Sequence, residues 1–122
     1  MAKTILVIDD SVSMRATVGM ALKGAGYEVV EACDGKDALA KLDGRKYNLI
    51  ISDVNMPNMD GISFVKAAKL LPAYKFTPII MLTTEGDAAK KQAGKDAGVR
   101  AWVLKPFQPP ALLDAVAKLC MP

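Results

Sequence analysis

At 122 residues the chain is one domain in size, and its 52% hydrophobic and 24% charged residues exclude disordered and fibrous classes. The net charge of +3 rests on scattered lysines, too few for a groove that neutralises many phosphates, so a solvated basic surface is expected and nucleic acid is not a partner. Histidine is absent, which removes Ser-His and Cys-His catalysis and His-ligated metals, leaving carboxylates, hydroxyls and lysines for any chemistry.

The chain enters its first apolar run, Ile5-Leu6-Val7-Ile8, without the long hydrophobic region of a signal peptide. No later stretch is long enough to span a bilayer, so a cytoplasmic protein with no membrane partner is expected. Asp9-Asp10 follows the run. Helical periodicity then extends from Met14 to Ala25 and is closed by Gly26. Glu28-Val29-Val30-Glu31 reads as a second strand, and Gly35 to Leu42 as a second helix. The third strand, Leu49-Ile50-Ile51-Ser52, runs into Asp53, and Ile62 to Leu71 is helical. Ile79-Ile80-Met81-Leu82 leads to Thr83-Thr84, and Ala88 to Ala97 forms the fourth helix. Ala101-Trp102-Val103-Leu104 leads to Lys105-Pro106. Pro109-Pro110 opens a last helix over Ala111 to Cys120, with Leu112, Val116 and Leu119 on one face.

The first, third and fourth runs are apolar almost throughout, as strands covered on both faces must be; the second and fifth look like edge strands. Strict alternation of strand and helix predicts an α/β fold, a doubly wound five-stranded parallel sheet with right-handed crossovers and helices on both faces. One domain is expected over 1–122, with no output domain. Cys33 and Cys120 form no metal or redox motif and are expected to be buried free thiols.

Ligands of open α/β sheets bind beyond the carboxyl ends of the strands. Asp9, Asp10, Asp53, Thr83, Thr84 and Lys105 all follow apolar runs, so they converge on one edge. Two carboxylates about 4 Å apart repel by roughly 4 kcal/mol at an effective dielectric near 20, so a cation belongs among them. Lys105 offsets one charge, and a hard divalent ion, Mg²⁺ or Mn²⁺, suits the rest. The competing reading makes the three aspartates helix caps and turn residues.

Ile8-Asp9-Asp10-Ser11, Asp53-Val54-Asn55-Met56-Pro57-Asn58-Met59-Asp60-Gly61, Leu82-Thr83-Thr84 and Val103-Leu104-Lys105-Pro106-Phe107 together resemble the receiver domain of two-component response regulators. Asp10-Ser11-Val12-Ser13-Met14-Arg15 brings the likeness nearest to the family's single-domain chemotaxis members. The resemblance implies a flavodoxin-like sheet of order 2-1-3-4-5, an order taken from the family. It implies Asp53 as phosphoacceptor, with Asp10, Asp53 and the Asn55 carbonyl as direct Mg²⁺ ligands and Asp9 acting largely through water. Lys105 and Thr83 would contact the phosphoryl group, Thr83 as the switch hydroxyl with Trp102 as its coupled aromatic, and Lys105-Pro106 would be a cis junction. Implied partners are a CheA-like sensor histidine kinase, a downstream target such as the flagellar motor switch, and a phosphatase. The protein would be a monomer and a switch that assists its own phosphorylation and dephosphorylation, not an enzyme.

Around this site, Thr84 stands where a smaller residue is common and would restrict water. Lys90, Lys91, Lys95 and Arg100 place charge near the family's docking face; Gly86 and Gly94 should soften that region, and Met56 and Met59 read as packing. Three other functions compete. A phosphorelay intermediate shares every motif. A haloacid-dehalogenase-like phosphatase would carry Asp-x-Asp after its first strand, whereas the acids here are adjacent. A flavodoxin-like flavin binder would need phosphate donors where Asp9-Asp10 would repel the phosphate.

Overall fold

The computed structural model describes residues 3–54, 56, 59–83, 88–105 and 108–120, with backbone alone for 88–91. In chain order these form β1 (Thr4–Ile8), α1 (Val12–Gly24), β2 (Glu28–Ala32), α2 (Gly35–Lys41), β3 (Leu49–Asp53) and α3 (Gly61–Lys69). A 3₁₀ turn (Pro72–Tyr74), β4 (Ile79–Thr83), α4 (Ala88–Ala97), β5 (Ala101–Leu104) and α5 (Pro109–Leu119) follow.

All strand pairs are parallel and the sheet order is β2-β1-β3-β4-β5, so β2 and β5 are the edges, as their weaker apolar patterns predict. The fold is flavodoxin-like. Side-chain alternation builds two cores. Leu6, Ile8, Ile50, Ile79 and Met81 face one side of the sheet and pack with Phe64, Val65 and Ala68 of α3. Their neighbours Ile5, Val7, Leu49, Ile51, Ile80 and Leu82 face the other, against Val18 and Leu22 of α1 and Leu112 and Val116 of α5. Each fully buried side chain of this size contributes about 2 kcal/mol over its exposed state, which is why the middle strands carry polar residues only at or next to their ends: Thr4, Ser52, Asp53 and Thr83.

Helix starts are set by caps. The Ser11 hydroxyl accepts from the Met14 amide at 3.2 Å, Asp34 from Asp37 at 2.8 Å and Asp60 from Ser63 at 2.7 Å. Hence α1 begins at Val12 and α3 at Gly61, ahead of the apolar periodicity that announces them. Gly26, at φ 95°, lets the chain leave α1 in the left-handed region. α3 stops at Lys69 because Pro72 opens the 3₁₀ turn, an element that periodicity does not show. Within that turn the Tyr74 hydroxyl accepts from the Gly44 amide at 3.0 Å and donates to the Arg45 carbonyl at 2.7 Å.

One expectation is corrected. Cys120 is buried, but Cys33 is exposed, because it lies in the turn beyond edge strand β2, where nothing covers it; its amide donates to Asp37 at 2.9 Å.

Candidate functional site

The strand order turns about β1, which has β2 on one side and β3 on the other; this is the switch point where such sheets open a crevice. Ile8 is level with Ser52, so continuing the register by one residue puts Asp9 level with Asp53.

Asp53 ends β3 and is 7% exposed. Its backbone is held from several directions: the Ser52 hydroxyl donates to the Asp53 carbonyl at 2.9 Å, and the next residue, Val54, donates to Leu82 and accepts from Gly61 at 2.8 Å. A Cβ on Gly61 would lie 2.1 Å from the Asp53 carbonyl oxygen, so α3 can start this close to β3 only with glycine there. Asp9 is 1% exposed, and its carboxylate accepts from the Ser11 amide at 2.9 Å. Asp10 is exposed beside it. Thr83 ends β4 and is 5% exposed; its carbonyl accepts from the Lys105 amide at 2.7 Å. That bond places Lys105 just past β5, with its ammonium 2.8 Å from Asp53 and 3.5 Å from Asp9.

One oxygen from each of Asp9, Asp10 and Asp53 falls within a 4.8 Å group. Burial raises the pKa of Asp9; the Ser11 amide and Lys105 pull it back without cancelling the rise, and Asp53 adds to it. Burial also pushes Lys105 toward neutrality, but the hydrogen bond and charge of Asp53, together with Asp9, outweigh it and raise the ammonium's pKa. The cluster is therefore short of positive charge, and its donors are hard oxygens of the kind Mg²⁺ and Mn²⁺ favour.

Trp102 is half-buried against the α3-side core, and its ring lies over Gly94 of α4, where a Cβ would come within 2.4 Å of the indole. Gly94 is thus a seat for the aromatic ring, a role that its sequence context does not announce. Met56 and Met59 pack against the same core, as expected, and Met59 covers Gly35 at the start of α2. Lys95 is exposed on α4, while Arg100 precedes β5 and belongs to the opposite edge of the sheet. Asn55, Thr84, Gly86 and Pro106, with the side chains of Lys90 and Lys91, lie outside the described residues.

Sequence reasoning brought together Asp9, Asp10, Asp53, Thr83 and Lys105 correctly in space, and assigned no role to Ser11 or Gly61. The Ser11 signal was available as a capping residue ahead of a helix, and Gly61 as an Asp-Gly pair at a helix start.

Comparison with known proteins agrees with this geometry. Residues 5–117 match the response regulator receiver domain. The chain is 42% identical over 112 residues to chemotaxis protein CheY1 of Helicobacter pylori, covering 90% of each. It is 40% identical over 101 residues to the gliding motility regulatory protein of Myxococcus xanthus, covering 83% of this chain but only 13% of that much longer protein. Among solved structures, chemotaxis response regulator CheY4 of Vibrio cholerae superposes with a TM-score of 0.92 at 49% identity, over 98% of this chain and 99% of the other. Described residues contain no helix long and apolar enough to cross a membrane. The chain belongs to the response regulator receiver domain family of two-component systems, as a CheY-like member.

Proposed function

We propose that this receiver accepts a phosphoryl group on Asp53 from a sensor histidine kinase and thereby changes the face it offers a downstream partner. The observation that carries the reading is the nearly buried Asp53 carboxylate, paired with Lys105 at 2.8 Å inside a cluster of three acids. In the transfer, an Asp53 oxygen forms the new P–O bond as the P–N bond of a phosphohistidine breaks, leaving an acyl phosphate. No histidine exists in the chain to serve as donor, so the group comes from a partner or a small phosphodonor.

Asp10, Asp53 and the Asn55 carbonyl would hold Mg²⁺ or Mn²⁺ directly, and Asp9 through water. When bound, the cation neutralises charge shared by the carboxylates and the phosphoryl oxygens. Lys105 exchanges part of its pairing with Asp53 for a phosphoryl oxygen, and the Thr83 hydroxyl donates to another. Movement of Thr83 is read out by Trp102, whose ring slides on Gly94 and so biases α4. Such a protein promotes its own phosphorylation and dephosphorylation and acts as a switch, not an enzyme. Likeness to CheY1 and CheY4 supports chemotaxis, with a kinase of the CheA type upstream and the flagellar motor switch downstream, in a monomeric cytoplasmic protein.

Acetyl phosphate with Mg²⁺ should add one phosphoryl group by intact mass, and Asp53→Asn should abolish it. Undiminished labelling of that variant would overturn the assignment. Partners that bind only after beryllofluoride and Mg²⁺ treatment identify the pathway.

A further inference from the structure

The three acids of the cluster are held unequally. Asp9 is tied by the Ser11 amide and Lys105, and Asp53 by Lys105. Asp10 is exposed, and among the described residues no side chain or amide binds its carboxylate. Its direction is therefore set by the backbone on either side. Downstream, Ser11 is fixed as the cap of α1. Upstream lies the Asp9–Asp10 peptide, whose carbonyl oxygen is Asp9 O.

That oxygen has an unusual donor. Asp9 N donates to Ala32 O at 3.1 Å, the last rung between β1 and β2. Within a strand the amide and carbonyl of one residue point the same way, so the Asp9 carbonyl also faces β2, beyond the point where β2 ends at Ala32. Arg15 fills the gap: its Nη1 donates to Asp9 O at 2.6 Å. Its Nε lies 3.4 Å from Glu31 of β2, and its side chain is only 15% exposed. The planar guanidinium thus splints the end of β1 to the end of β2 through one hydrogen bond to Asp9 O and one ion pair with Glu31.

We propose that Arg15 is a positioning residue for the acidic cluster, fixing the Asp9–Asp10 peptide so that Asp10 faces Asp53, with Glu31 holding the guanidinium in place. The inference rests on the function proposed above only in naming a divalent cation as what the cluster receives. Arg15 touches neither that cation nor the phosphoryl group. Its effect falls on how much of the time the Asp10 carboxylate points inward, and so on cation affinity before any transfer occurs.

The test compares the parent, Arg15→Met, Arg15→Lys and Glu31→Gln. Mn²⁺ affinity is measured by calorimetry well below each protein's melting temperature, and the metal-free Asp10 amide and Asp9 carbonyl resonances are assigned by NMR. Arg15→Met should weaken Mn²⁺ about tenfold, the lower end of what loss of a residue supporting a metal ligand costs. It should also move the Asp9 carbonyl and Asp10 amide signals. Lysine, with a single point of donation, should restore part of the affinity, and Glu31→Gln should show a smaller loss than Arg15→Met. Labelling of Asp53 at saturating Mn²⁺ should recover toward the parent rate, because the chemistry is intact once the cation is held. A merely structural arginine would lower the melting temperature and leave Mn²⁺ affinity unmoved, and that result overturns the proposal. Should the parent itself not bind Mn²⁺, the cation reading fails instead, and the Asp10 side-chain carboxylate signal, which Arg15 does not touch, decides: unmoved in Arg15→Met, it overturns the proposal.

Discussion

The two edges of the sheet carry opposite charge and hold it by different means. At the carboxyl edge, aspartates on short side chains stand at strand ends, with Asp9 and Asp53 nearly buried and drawn toward one ammonium. At the amino edge, an open cleft of about 1060 Å³ is lined by Lys3, Arg45, Lys46, Arg100 and Lys118, with Glu28 among them. These long side chains find local relief: Arg45 folds onto Asp43 at 3.0 Å, Lys118 onto Asp114 at 3.3 Å, and the Lys3 ammonium donates to the Cys120 carbonyl. Exposed pairs of this kind are screened by water and add little to stability. Charge alone therefore does not mark a site. Charge that the backbone prevents from moving apart does, and among the described residues this occurs where the strands deliver it.

The sharpest way to break that contrast is through glycine. Gly61→Ala forces a methyl group onto the Asp53 carbonyl and should cost about 3 kcal/mol in urea unfolding, with a fall in Asp53 labelling. Gly24, at the exposed end of α1, has nothing within 4 Å of its would-be Cβ, and Gly24→Ala should gain about 0.5 kcal/mol. Equal effects at the two positions would erase the distinction between a tight edge and a loose one.

A second, smaller effect comes from Lys105→Met, which leaves Asp9 and Asp53 without their shared ammonium. The partial exposure of Lys105 reduces the cost of an unpaired buried charge to about 2 kcal/mol, and Mg²⁺ should restore part of it. The pH dependence has a definite sign. Because the folded-state pKa of Lys105 is raised, its stabilisation is complete below the ordinary lysine pKa and disappears as pH rises through the folded value. The methionine variant should lack that alkaline loss in a melting series.

Asp9→Asn should act in the opposite direction, raising neutral-pH stability by about 1 kcal/mol, since removing a charge relieves both burial and repulsion. The raised pKa of Asp9 means that the native state binds the proton more tightly than the unfolded chain, so acidification through that window stabilises the parent. A variant that keeps the same acid-side gain would show that another group is responsible. At the amino edge, Lys46→Gln and Arg100→Gln should each change stability by less than about 0.5 kcal/mol and leave Asp53 labelling unchanged.

Much of this was legible in the chain because each signal is local. Apolar runs such as Ile79-Ile80-Met81-Leu82 mark buried strands by composition, and the residue after each run falls on the site edge whatever the packing details. What escaped depends on contacts across the fold. Nothing near Gly94 in sequence announces an indole, and nothing near Gly61 announces the Asp53 carbonyl. The exposure of Cys33 follows from β2 lying at the edge, which local composition shows only weakly. Arg15 reads as an ordinary helix cation until the Asp9 carbonyl is seen above it.

The Tyr74 hydroxyl ties two distant amides to one local opening. It binds the Gly44 amide, while the Tyr74 carbonyl accepts from the Thr77 amide at 3.1 Å. Opening the short turn at Pro72–Tyr74 releases both amides at once, although they lie far apart in sequence. In hydrogen exchange, Gly44 and Thr77 should report the same opening free energy, below that of the amides of β3. The amino edge can then breathe as one unit while the strands that carry the acids remain paired, so fluctuation at one pole of the domain need not disturb geometry at the other.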